Sequence, residues 1–184
     1  MPGFFDLSMT ELVQIAVSAM GIAFAFSYVW RTVSFAEILL TVGASFVLHE
    51  LGHRYVAKSF GARAEYRMWT IGLIAALAFA ILFGFVFAAP GAVYILTDLT
   101  KEQSGKVAIA GPAVNIILSI GFLAAAFILP GASEILITGA RVNAFLGTFN
   151  LIPMDPFDGG KVVRWNKVWW AGAFAIAGML AILI

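Results

Sequence analysis

The sequence predicts an all-α polytopic membrane protein, with about five transmembrane helices and a re-entrant or interfacial segment able to form a short β-hairpin. Two observations carry this. Of 184 residues, 62% are hydrophobic and 11% charged, whereas soluble domains carry about a quarter charged residues. The charges are also gathered into short stretches, and the runs 12–30, 68–97, 107–133 and 168–184 contain none. The chain therefore reads as one compact integral membrane domain, 1–184. A net charge of +1 gives no support for nucleic-acid binding, and the lack of cysteine excludes a disulfide framework.

The opening Met-Pro-Gly-Phe-Phe-Asp lacks the basic region and small-residue cleavage site of a signal peptide, so the first apolar run is expected to be retained. Residues 12–30 form the first span and close on Tyr28, Val29 and Trp30 before Arg31, the aromatic-then-cation order that a membrane interface favours. A second helix starts near Ser34, capped with Glu37, and runs to about Ser59, where Gly61 stops it. The basic residues Arg54, Lys58, Arg63 and Arg67 mark that end as cytoplasmic.

After the uncharged run 68–97 and the polar stretch 98–106, a further span runs from Val107 to about Leu129 and includes Gly111-Pro112-Ala113-Val114-Asn115. Gly and Pro there suit packing and kinking, but an amide in lipid needs a partner, so Asn115 is a candidate donor to a bound peptide. Pro130-Gly131 breaks the chain. A run from Val142 then leads into Asn150-Leu151-Ile152-Pro153-Met154-Asp155-Pro156-Phe157-Asp158-Gly159-Gly160. Two prolines three apart do not fit a regular helix, and irregular backbone at membrane depth is tolerated only against protein or a wet cavity. A last short span, 168–184, begins with Trp169 and Trp170.

Within the second helix lies His49-Glu50-Leu51-Gly52-His53. Histidines four apart share a helix face and can reach one metal ion, with Glu50 placed to handle a metal-bound water, the layout of a zinc hydrolase. A His-Glu pair can also be an ordinary helix turn. Ionisable groups inside a bilayer segment, however, are costly and persist mainly for function. These are the only two histidines, so any zinc site must be completed by carboxylate oxygens, with Asp155 and Asp158 the candidates.

A ligand at Asp158 has to lie at the depth of His49 and His53, and this constrains the topology. The span from Val107 must run outward, so the chain between Ser59 and Lys106 begins and ends on the cytoplasmic side. Residues 68–97 then re-enter or lie in the interface, since two full crossings need about 40 residues. All 11 Lys and Arg residues except Arg31 and Arg141 are then cytoplasmic. A half-helix followed by a hairpin of 85–89 with 92–95, turning at Pro90-Gly91, is expected; its free edge would let an extended peptide add.

The three motifs, His49 to His53, Gly111 to Asn115, and Asn150 to Pro153 with Pro156 and Asp158-Gly159-Gly160, resemble the site-2 protease family of intramembrane zinc metalloproteases over residues 35–165. The resemblance implies a minimal member without a PDZ domain, in which His49, His53 and Asp158 hold one Zn2+ and Glu50 is catalytic. It also implies that Asn115 and Asn150 lie near the substrate. The partners implied are a transmembrane protein substrate and the lipid bilayer of a multi-pass cell-membrane protein, with the active site toward the cytoplasm. A membrane metal carrier or sensor uses the same ligands but leaves Glu50 without a task, and a catalytically silent scaffold is the remaining rival.

Overall fold

The computed structural model describes residues 7–31, 33–86 and 90–184, all but the side chain of Ser133. Helix α1 (Met9–Val29) is capped by Ser8, whose hydroxyl accepts the Glu11 N–H while the Glu11 carboxylate returns to Ser8 N–H. The expected cap at Ser34 is present in the same form, with Glu37 as its reciprocal partner. From it α2 (Phe35–Ile38), a π-helical turn (Leu39–Gly43) and α3 (Ala44–Ser59) continue as one helix of 25 residues. Gly61, at φ +76°, ends it in the left-handed conformation that glycine adopts without strain.

Two strands follow, β1 (Ala64–Met68) and β2 (Gly91–Ile95), paired antiparallel with Ala64 opposite Ile95 and Met68 opposite Gly91. Between them lies α4 (Thr70–Phe83), which at 14 residues rises about 21 Å and is shorter than a hydrocarbon core of about 30 Å. The bond from Trp69 N–H to Pro90 O closes this excursion at its base. The chain thus leaves and rejoins one strand pair.

The partner of β2 differs from the expected hairpin. Residues 91–95 pair with 64–68; Phe85 and Val86 form no strand, and residues 87–89 of the expected first strand lie outside the described residues. Glu65 and Arg67 disguise β1 as part of a basic connector. They occupy its exposed positions, while Ala64 and Tyr66 turn inward in the period-2 alternation of a half-buried strand.

The Arg63–Leu96 and Trp69–Pro90 bonds fix the phase of the ladder. Residues 64, 66 and 68 therefore point their backbone groups to one outer edge, and 91, 93 and 95 to the other. Helix α1 covers the first edge: Glu11 accepts the Tyr66 N–H at 3.1 Å and Gln14 the Met68 N–H at 2.9 Å. Glu11 also holds Arg54 at 3.3 Å. Arg54, assigned from sequence to the cytoplasmic basic stretch, is only 4% exposed, because α1 supplies it with a carboxylate.

Helix α5 (Lys101–Ile128) is the central pillar and packs against α3, α6 (Ser133–Asn150) and α7 (Asp158–Trp165), with α8 (Lys167–Leu183) beside α6 and α7. Three helices among the described residues are long and apolar enough to cross a membrane: α1, the Phe35–Ser59 helix and α5. The other two of the expected five are α6, which carries Glu134, Arg141, Asn143 and Asn150, and α8, which is apolar but has 17 residues.

Candidate metal centre

His49 and His53 stand one turn apart on α3 with ring centroids 4.7 Å apart. Asp158 reaches them from the first residue of α7, where a helix N-terminus favours a carboxylate. Its Oδ2 lies 3.4 Å from His49 Nε2 and 3.1 Å from His53 Nε2. These three are the one group of potential metal ligands of this kind among the described residues.

The donor set fits a divalent cation. His53 Nδ1 lies 2.7 Å from the Val107 carbonyl oxygen, which can only accept, so Nδ1 donates and the ring, when neutral, presents a bare lone pair at Nε2. His49 Nδ1 lies 2.6 Å from Asn115 Oδ1, and its Nε2 is 3.0 Å from that of His53. Two lone pairs and a carboxylate oxygen thus converge on one point, the N2O set that tetrahedral zinc accepts with a fourth position left open.

Glycine makes the space. A Cβ built on Gly111 of α5 would lie 2.6 Å from His49 Nε2 and closer still to His53 Nε2. The sequence showed Gly111 only as a packing or kinking residue. Its position opposite the HExxH turn is a product of the α3–α5 contact.

Asp155 is not at the cluster. It makes a bidentate pair with Arg164, 3.0 Å on each arm, at the exposed side of the turn. That pairing holds its carboxyl below the ordinary carboxylate range. The turn of residues 151–157 is pinned besides by Trp170 Nε1 donating to Leu151 O at 2.8 Å and by the edge-on contact of Phe149 with Phe157.

A cavity of about 370 Å³ adjoins the cluster, lined among others by Glu50, Val93, Asn150 and Asp158. Glu50 is 7% exposed, and its Oε2 accepts the Val93 N–H at 3.1 Å. Asn150 lines the cavity while its Nδ2 donates to Leu146 O of its own helix at 2.9 Å. Asn115 sits elsewhere: it is fully buried behind His49, and its Nδ2 donates to Asn143 Oδ1 at 3.0 Å. Asn143 in turn donates to Ser45 Oγ at 2.7 Å and Gly139 O at 2.8 Å. Sequence reasoning passed over Asn143 and Ser45, although the argument applied to Asn115, an amide in an apolar run in need of a partner, applies equally to Asn143.

The family model of peptidase family M50 matches residues 37–134. MJ0611 of Methanocaldococcus jannaschii, named as a candidate zinc metalloprotease, is 42% identical over 172 residues, which cover 91% of this chain and 90% of that protein. The zinc metalloprotease MJ0392 of the same organism is 31% identical over 137 residues, 73% of this chain but 35% of its own length. YwhC of Bacillus subtilis, again named as a candidate zinc metalloprotease, is 32% identical over 149 residues, with 69% and 67% covered. No solved structure matches the chain.

Proposed function

The chain belongs to peptidase family M50, the site-2 protease family, and on that premise we propose that it is an intramembrane zinc metalloprotease that hydrolyses a peptide bond of a transmembrane protein. The observation that carries this reading is the meeting of His49, His53 and Asp158, from segments about a hundred residues apart in sequence, beside a buried Glu50 and a cavity.

His49, His53 and Asp158 would hold the zinc ion, which would supply Lewis-acid chemistry to the scissile carbonyl and lower the pKa of water toward about 7. Glu50 takes the proton of the attacking water on a carboxylate oxygen and returns it to the leaving amine. The centre lies about 15 Å of helix rise from Ser59, near mid-depth of a bilayer whose cytoplasmic face is the side of Lys58 and Arg63. In that arrangement α6 and α8 cross the membrane and α4 re-enters it.

A helical substrate has to unwind before its carbonyls are reachable. The cavity-side edge of β2 offers Gly91, Val93 and Ile95 as a template for the extended strand. The opposite edge of the sheet is closed by Glu11 and Gln14. Asn150 lines the path of such a strand, whereas Asn115 acts through His49.

The test is Glu50→Gln, assayed in lipid nanodiscs for zinc content and for cleavage of a model spanning peptide. A protease keeps its zinc and loses cleavage. Retained cleavage overturns the role of Glu50, and retained transport of zinc by a non-cleaving wild type makes the protein a carrier.

A further inference from the structure

We propose that Asn143 is a positioning residue for the metal centre: through the Asn115 amide it fixes which nitrogen of His49 carries the proton, so that Nε2 faces the metal with a bare lone pair. The inference rests on the zinc reading above, but it concerns residues that touch neither metal nor substrate.

The two histidines are oriented by different means. His53 Nδ1 faces a backbone carbonyl, Val107 O, and has no alternative but to donate. His49 Nδ1 faces a side-chain amide, which could present either end. If the amide turned its Nδ2 toward the ring, His49 Nδ1 would have to accept, the proton would move to Nε2, and the ring would point an N–H at the metal position. Something must hold the Asn115 amide one way round.

The hydrogen bonds supply the reason, read from the end that allows no choice. Gly139 O is a carbonyl and accepts only, so the Asn143 atom 2.8 Å away is its nitrogen. Asn143 Oδ1 is then the acceptor facing Asn115, which must present Nδ2 to it at 3.0 Å. Asn115 Oδ1 is thereby turned to His49 Nδ1 at 2.6 Å, and His49 Nε2 keeps its lone pair for the metal. Asn143 also donates to Ser45 Oγ, whose hydroxyl is committed in turn to Thr41 O, so it accepts from Asn143. Asn115, Asn143 and Ser45 are each 1% exposed or less, so no water can replace a missing partner without rearrangement.

Removing an outer partner of a metal-binding histidine typically costs about 10–100-fold in metal affinity, and Asn143→Leu, similar in volume but without polar atoms, should weaken zinc binding by about that factor. Packing damage predicts the same loss, so a second background separates the two. A carboxylate at position 115 accepts from His49 whichever way it is turned and needs no orienting partner. In the Asn115→Asp background, Asn143→Leu should therefore leave zinc affinity unchanged or raise it, because the carbonyl facing the carboxylate is gone.

The experiment is zinc affinity by chelator competition on the full chain in nanodiscs, for wild type, His49→Ala, Asn143→Leu, Asn115→Asp and the double variant. His49→Ala tests the centre itself: if it binds zinc like wild type, the zinc reading fails. If His49→Ala loses zinc while Asn143→Leu binds like wild type, the positioning role fails alone. If the single variant does not fold, the comparison of Asn115→Asp with the double variant still decides, and a further loss of affinity there overturns the proposal.

Discussion

Val93 donates its backbone N–H to Glu50 Oε2 at 3.1 Å, and this bond joins the cavity-side edge of β2 to the residue proposed to move the proton. The donor is free for this because Val93 sits at a position whose backbone groups point away from β1. A substrate strand on that edge would compete with Glu50 for the same N–H.

Val93→Pro removes that donor and no ladder bond. A hydrogen bond to a charged group is worth about 1.5–3 kcal/mol, and each 1.36 kcal/mol is about tenfold in rate. Peptide cleavage should fall about 10–100-fold in kcat/KM with zinc content unchanged. Loss of zinc together with cleavage would show that the strand, not the donor, had been damaged.

Gly111→Ala places a methyl group against the two Nε2 atoms. Overpacking of this kind costs about 1–3 kcal/mol, and here it falls on the metal position. Zinc binding should weaken about 10–100-fold while the helical circular dichroism is kept. Full zinc occupancy in this variant would put the ion elsewhere.

Asp158→Asn should abolish stoichiometric zinc, and Asp155→Asn should not, because Asp155 is engaged by Arg164 on the exposed side of the turn. The Asp155 carboxyl is held below its ordinary pKa by that guanidinium. Its pairing is therefore fully present above the ordinary carboxylate range and lost as pH falls through the depressed value. Between pH 6 and 8 the Asp155→Asn protein should thus match the wild type in zinc content and in the pH dependence of cleavage. Zinc analysis of both variants distinguishes the two carboxylates.

Glu11→Ala strips the buried Arg54 of a carboxylate 3.3 Å away and uncovers the Tyr66 N–H. Removing one member of a buried ion pair costs about 3–5 kcal/mol, so the thermal unfolding midpoint should drop well below that of wild type. A surface pair would give almost no change, and that result would place Glu11 outside the core.

The centre was more legible in the sequence than the scaffold. Ser34 with Glu37, the HExxH spacing and Gly61 are local signals, and each reappears as a cap, a shared helix face and a helix stop. Strand β1 was not legible, because Glu65 and Arg67 occupy its outward positions and only Ala64, Tyr66 and Met68 carry the strand pattern. The burial of Arg54 and the relay through Asn143 depend on partners 43 and 28 residues away in sequence, and no window along the chain displays them.

The π-helical turn at Leu39–Gly43 gives the long helix one residue of slack. A wide turn advances less per residue than the 100° of an α-helix, and over five residues it absorbs about one extra residue without re-aiming what lies beyond it. Deleting one residue there should regularise the helix and leave His49 and His53 facing α5 as before. The same deletion between Ala44 and Leu48 would swing both imidazoles round by about 100° relative to the preceding turn and leave Asp158 without partners.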